Sequence, residues 1–139
     1  MTFKDKICWV TGASSGIGEA LCYIMAEQGA ELILSARNES ALEKVKETCI
    51  QKGASGCDII PLDLSKPESI EFAFQKFTSK HSKIDFLVNN GGISQRGLAS
   101  ETDFEVDRRV MEVNFFGAVN LTKKVLPMML KQGSGNLSV

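Results

Sequence analysis

A chain of 139 residues, 43% of them hydrophobic and 24% charged, is long enough to bury one hydrophobic core and has the composition of an ordinary globular domain. Its 16 basic residues against 17 acidic ones leave a formal charge of −1, which excludes the basic footprint of a nucleic-acid binder. No apolar run approaches the ~18 residues of a membrane span, no signal-peptide pattern is present, and Cys8, Cys22, Cys49 and Cys57 form no CxxC pair, so the expectation is a cytoplasmic protein with buried free thiols.

The first apolar run, Ile7 to Val10, reads as a buried strand ending in Thr11-Gly12. Thr11-Gly12-Ala13-Ser14-Ser15-Gly16-Ile17-Gly18 follows directly and opens a helical stretch on which Ile17, Leu21 and Ile24 recur at helical spacing. A glycine-rich turn between strand and helix lets the backbone approach a diphosphate without side chains in the way. The helix N-terminus behind it presents free N–H groups and partial positive charge. Gly12, Ser14, Ser15, Gly16, Ile17 and Gly18 are therefore candidate nucleotide-binding residues, Gly18 also allowing close packing of helix on strand. A tight turn of purely structural purpose is the competing reading; the strand before and the helix after favour the phosphate cradle. No Gly-Lys-Ser/Thr is present, which excludes a P-loop.

The next strand spans Glu31 to Ala36, and the charged Glu39 to Lys52 stretch reads as a helix with a solvated face and Leu42, Val45 and Cys49 inward. A third strand is expected over Asp58 to Asp63. Ser65-Lys66-Pro67-Glu68 then marks a helix start, with Ser65 capping, Glu68 returning the bond and Pro67 in the first turn; Ile70, Phe74 and Phe77 form its apolar stripe. His81, the only histidine, sits in a polar connection with no cysteine or carboxylate cluster, so no metal site is expected. Ile84 to Asn89 is a fourth strand.

After Gly91 and Gly92 a polar loop leads to a long helix, Phe104 to Lys131, on which Val110, Asn114, Ala118, Leu121 and Val125 form the stripe expected to face the sheet. Asn114 in that stripe needs a hydrogen-bond partner. Gly133 to Val139 reads as a turn feeding a fifth strand, inside which the sequence ends. Strands alternating with helices at this spacing require parallel pairing with helices on both faces, so the fold class is α/β, with residues 1–139 as one unit.

The spacing TGxxxGxG resembles the short-chain dehydrogenase/reductase family, and further motifs agree in order over essentially the whole chain. Asp63-Leu64 resembles the family's adenine-contacting pair. Asn89-Asn90-Gly91-Gly92 resembles its NNAG motif with Gly91 in place of Ala, and Asn114 resembles its helix asparagine. Gly92-Ile93-Ser94-Gln95-Arg96-Gly97 is most similar to the member-7-like branch. The resemblance implies a Rossmann-like doubly wound parallel sheet, truncated within the fifth strand, as the cofactor-binding portion of an enzyme whose C-terminal catalytic part is absent. It implies that Asp63, Leu64, Asn90 and Gly91 contact a nicotinamide cofactor. It also implies that Asn114 holds a water that orders a catalytic lysine.

Where an NAD enzyme places a carboxylate after the second strand, this chain has Ala36 and then Arg37. A guanidinium pairs with a 2′-phosphate through two charge-assisted bonds, so NADP(H) is the expected cofactor; the alternative is that Arg37 is a solvated residue after a strand. The family's proton donor is a tyrosine with a lysine four residues on. The only tyrosine here, Tyr23, is followed by Glu27 and reads as a helix surface or packing residue; Ser138 is not assigned the catalytic serine's role. Two readings result. The chain is part of an NADP(H)-dependent oxidoreductase of small-molecule carbonyl or alcohol substrates and is inactive alone, or it is a non-catalytic nucleotide-binding or dimerisation module. A homo-oligomer through the long helix is implied by the resemblance, membrane association of a longer parent stays open, and an isolated chain with an unpaired sheet edge is expected to aggregate or fold weakly.

Overall fold

In the computed structural model, which describes residues 2–139, five short strands pair in parallel. They are β1 (Ile7–Thr11), β2 (Glu31–Ser35), β3 (Gly56–Ile59), β4 (Phe86–Val88) and β5 (Asn136–Ser138), in spatial order β3-β2-β1-β4-β5. The order reverses between β1 and β4, which opens a crevice at the carboxyl ends of these two strands. Between the strands lie α1 (Gly16–Glu27), α2 (Glu39–Lys52) and α3 (Pro67–Lys80). Residues Phe104 to Gln132 form a nearly continuous helix, divided into α4 (Phe104–Met111), a π-helical turn (Glu112–Gly117) and α5 (Ala118–Gln132).

Alternation along β1 distributes side chains to two cores. Ile7 and Trp9 join Ile33 of β2, Ile70 and Phe77 of α3, and Leu121, Val125 and Met129 of α5 on one face. Cys8 and Val10 join Leu32 and Leu34 with Cys22, Met25, Leu42 and Val45 of α1 and α2 on the other. Both faces are covered, as a parallel sheet requires. Trp9 stacks on Phe77 with centroids 4.8 Å apart, and its Nε1 donates to Ser35 Oγ at 2.8 Å, whose own hydroxyl donates to Ile60 O at 2.7 Å. An ion pair of Lys124 with Glu71 joins α5 to α3; the hydrogen bond from Lys124 holds the Glu71 carboxyl below the usual carboxylate range. Cys8, Cys22 and Cys49 are buried free thiols, whereas Cys57 is only partly buried on the edge strand. Burial pushes the Cys8 thiol up to about 12, so it is not a nucleophile.

Several expectations are corrected. The inward face of α1 is Gly18, Cys22, Met25 and Ala26, while Ile17 and Ile24 are 80% and 51% exposed. Leu21 packs on the edge of this core, whereas Ile17 and Ile24 point to solvent; at the start of the helix only a glycine fits, since a Cβ on Gly18 would lie 2.2 Å from Gly12 O. The third strand starts two residues early, where Gly56 and Cys57 pair with Glu31 and Leu32. The regular strand ends at Ile59, although Ile60 N and Leu62 N still donate to Leu34 O and Ala36 O; Pro61 falls between them, where an N–H would point away from β2 to the open edge, so it is tolerated there. Ser65 does not cap α3. Its hydroxyl and amide both donate to Asp63 Oδ1, at 2.6 and 3.0 Å, and Lys66 takes the capping position with Pro67 next.

The π-helical turn re-aims the long helix. The buried residues are Val113, Gly117, Leu121, Val125 and Met129, and Asn114 is turned out of the sheet-facing stripe. Gly117 is required at this point, since a Cβ there would lie 2.4 Å from Leu64 O. His81 is also not isolated from carboxylates: its side chain is 8% exposed, stacks on Phe77, and lies 3.6 Å from Glu31 and 3.7 Å from Asp58. The two carboxylates face opposite ring nitrogens, and no cluster able to hold a metal occurs among the described residues. No helix among them is long and apolar enough to cross a membrane.

Candidate nucleotide-binding cleft

The crevice at the reversal point is a cleft of about 600 Å³. Its floor is the turn after β1. Gly12 and Gly16 have φ of +67° and +59°, a region that costs a side-chain-bearing residue free energy. A Cβ on Gly12 would lie 2.8 Å from Gly91 Cα, so this turn and the one after β4 touch backbone to backbone. A Cβ on Gly18 would lie 2.2 Å from Gly12 O, which seats the start of α1 directly on the turn. Around Gly16 there is open space. Ser15 precedes α1 in an extended conformation and makes no side-chain cap bond, so no side chain of the cap occupies the amides of the first turn.

Asn90 and Thr11 tie the two halves of the sheet together above this floor. Asn90 Nδ2 donates to Thr11 O and Gly12 O, both at 3.2 Å, and Gly91 N donates to Thr11 Oγ1 at 2.9 Å. Thr11 is 1% exposed, and its hydroxyl donates onward to Val88 O at 3.3 Å.

At the other end, Arg37 and Asp63 both line the cleft, near enough for the charge of one to act on the other. Arg37 is exposed and takes part in no ion pair among the described residues. Burial works against ionisation of Asp63, but the Ser65 hydroxyl and amide, Lys66 at 4.0 Å and the charge of Arg37 outweigh it and hold the carboxyl below its ordinary range. Asp63 is thus a fixed acceptor beside a free guanidinium.

Of the positions singled out in the sequence, Gly12, Ser14, Ser15, Ile17, Arg37, Asp63, Leu64, Asn90 and Gly91 line this one cleft. Gly16 and Gly18 shape it from behind. Asn114 is not on its wall: Asn114 Oδ1 accepts from Ile93 N at 2.8 Å and Nδ2 donates to Ile93 O at 2.7 Å, pinning the loop after β4 whose Ile93 does line the cleft. Its partner is the backbone of that loop, 21 residues away in sequence. Tyr23 faces away, donating to Glu19 Oε1 at 2.7 Å on α1, and Ser138 is an exposed strand residue whose carbonyl accepts from Asn89 N.

The sequence reading missed Ser35, Asn38, Val113 and Arg109, which also line the cleft. Ser35 and Asn38 were within reach, since they flank Ala36-Arg37 at the end of β2. Arg109 stands one helical turn before Val113 and also borders a second cavity of about 480 Å³ beside the loop at Ile93, a position that depends on how the long helix crosses the sheet.

The profile of the family described as short chain dehydrogenase matches residues 6–137. Dehydrogenase/reductase SDR family member 7 of Homo sapiens is 44% identical over 136 residues, covering 96% of this chain and 40% of that protein. Among solved structures, L-sorbose reductase from Gluconobacter frateurii, complexed with NADPH and L-sorbose, superposes with a TM-score of 0.93 at 28% identity over 99% of this chain and 52% of its own. A metagenomic short-chain oxidoreductase in complex with NADP gives 0.92 at 25% identity, over 99% of this chain and 62% of its own. The chain therefore spans less than two thirds of each of these proteins. Across nearly its whole length it belongs to the short chain dehydrogenase family.

Proposed function

We propose that this chain binds NADP(H) in the cleft between β1 and β4 and supplies the cofactor-binding portion of an oxidoreductase acting on carbonyl or hydroxyl groups. One observation carries the reading: the free guanidinium of Arg37 shares a single cleft with a glycine floor and an uncapped helix N-terminus. The cleft wall formed by Gly12, Ser14, Ser15 and Ile17 suits a diphosphate that must come within hydrogen-bond reach of backbone amides. The first turn of α1, with Ser14 and Ser15, receives the diphosphate. Asp63 and Leu64 hold the adenine, Arg37 pairs with the 2′-phosphate, and Asn90 and Gly91 hold the wall nearest the nicotinamide half. Asn114 acts as a positioning residue that fixes Ile93 against the bound nucleotide. When bound, the dinucleotide supplies hydride transfer.

By itself the chain binds but does not turn over substrate. Hydride transfer to a carbonyl needs a placed proton donor, and the one tyrosine is committed to Glu19 on α1, outside the cleft. The same observation supports the second reading, a non-catalytic nucleotide-binding module.

Calorimetric titration with NADPH and NADH tests the assignment. NADPH binds more tightly, and Arg37→Ala lowers NADPH affinity roughly 10- to 100-fold, the loss of ~1.5–3 kcal/mol of charge-assisted bonding, while leaving NADH nearly unchanged. Equal affinities for the two nucleotides, or an Arg37→Ala chain that keeps its NADPH affinity, would overturn it.

A further inference from the structure

Asn90 is the only asparagine of the chain followed by glycine. That pair is chemically labile, because a glycine amide has no neighbouring Cβ to hinder its attack on the asparagine side chain. Three hydrogen bonds hold both reacting groups here: Asn90 Nδ2 to Thr11 O and Gly12 O, and Gly91 N to Thr11 Oγ1. Thr11 is itself fixed, since it is buried and its hydroxyl proton is directed to Val88 O, so its free lone pair faces the Gly91 amide.

We propose that Asn90-Gly91 is a deamidation site built into the cleft, clamped shut by Thr11 in the folded chain and released whenever the contact between β1 and β4 opens. After losing its proton, Gly91 N forms a bond to Asn90 Cγ and the Cγ–Nδ2 bond breaks, so that ammonia leaves and a cyclic imide remains. Water then adds to one of the two imide carbonyls, giving aspartate or isoaspartate. No electrons are transferred.

Conversion destroys the clamp. An aspartate at position 90 places a carboxylate against the two carbonyl oxygens that now accept from Nδ2, with no donor between them. Isoaspartate lengthens the backbone where a single added carbon on Gly12 would already lie 2.8 Å from Gly91 Cα. Either product puts negative charge beside the floor. On the nucleotide reading given above, it ends binding of the diphosphate, so the site is an irreversible off-switch that records how often the cleft has opened.

The test is mass spectrometry of the tryptic peptide running from Ile84 to Arg96, taken from full-length chain held at mildly alkaline pH. In the native chain Asn90 converts at least roughly tenfold more slowly than in the same chain unfolded in urea, because conversion must wait for local opening. Thr11→Val, which removes the acceptor for Gly91 N, brings the native rate towards the unfolded rate, while Thr11→Ser keeps it slow. Gly91→Ala suppresses conversion in the unfolded chain, which is where it is compared, since in the fold its Cβ would meet Leu64 Cδ1 at 2.9 Å, Thr11 Oγ1 at 3.1 Å and Gly12 N at 3.3 Å and so press on the clamp itself. Should Thr11→Val fail to fold, the comparison of native and unfolded parent still decides. A native rate equal to the unfolded one refutes the clamp, and an unconverted Asn90 in the unfolded chain refutes the site. Converted chain isolated by ion exchange loses NADPH uptake; parent that takes up no NADPH at all sinks the nucleotide reading and leaves the mass-spectrometric result standing.

Discussion

Replacing Gly18 by alanine sets helix propensity against packing, and the structure says which prevails. Gly18 is the third residue of α1, where Gly→Ala in an unpacked helix would stabilise by about 0.5–1 kcal/mol. In the fold the new Cβ would lie 2.2 Å from Gly12 O, 2.5 Å from Asn90 Nδ2 and 2.9 Å from Gly12 C. Atoms in ordinary contact stand about 3.5–4 Å apart, so α1 or the turn must move by roughly an ångström, and the turn is backbone. Overpacking costs about 1–3 kcal/mol, and loss of the Asn90–Gly12 hydrogen bond adds about 0.5–1.5 kcal/mol. The net expectation after the propensity gain is a destabilisation of roughly 1–3 kcal/mol, seen as a shifted midpoint in urea unfolding at constant slope. Gly16→Ala serves as the comparison: it meets open space but carries φ of +59°, so it pays only conformational strain of ~1–2 kcal/mol, and Gly16→Asn recovers part of that. In an Asn90→Ala background the Gly18→Ala penalty shrinks, because one of its clashes and the bond it breaks are already gone. A Gly18→Ala chain as stable as the parent would refute the claim that this glycine is held by contact with the turn.

Ser35→Ala leaves the buried Trp9 indole N–H without an acceptor and costs ~1–3 kcal/mol in urea unfolding, with a shift in tryptophan fluorescence that Ser35→Thr does not reproduce. Phe77→Ala removes the ring stacked between Trp9 and His81 and costs ~3–5 kcal/mol by the same measurement. Because the folded Asp63 carboxyl lies below its ordinary range, its contribution is complete above the unfolded value near ~4 and is lost as pH falls through the folded one; the stability gap between parent and Asp63→Asn therefore narrows below about pH 4. Phe115 and Phe116 are 52% and 54% exposed on the long helix, and the expected outcome is self-association that grows with concentration in sedimentation velocity and is reduced when both are replaced with glutamate; a chain that stays monomeric throughout contradicts it.

The parts of the site that were legible in the sequence are those whose chemistry is local. The run from Val10 to Gly18 carries strand, turn and helix start within nine consecutive positions, and Ala36-Arg37 carries its charge at a strand end, so spacing and residue type suffice to place them. The same holds for Leu42, Val45 and Cys49, whose helical spacing names the buried face of α2. On α1 the spacing of Ile17, Leu21 and Ile24 misses the buried face of Gly18, Cys22, Met25 and Ala26, because the need for glycine at 18 registers only when the backbone it approaches is known.

Alternation of strands and helices determined the class of fold, and the glycine spacing determined the sharp turn between β1 and α1, since both follow from forces acting between near neighbours in the chain. Tertiary structure alone decided the rest. The pairing of Gly56 with Glu31 set where β3 begins, and the approach of Gly117 to Leu64 accompanies the π-helical turn that sends Asn114 to Ile93 instead of the sheet. His81 found Glu31 and Asp58 from other strands, and Asn90 found Thr11 from 79 residues away. Each of these is a contact between segments remote in sequence, whose free energy exists only once the chain has closed, and so no local pattern can encode it.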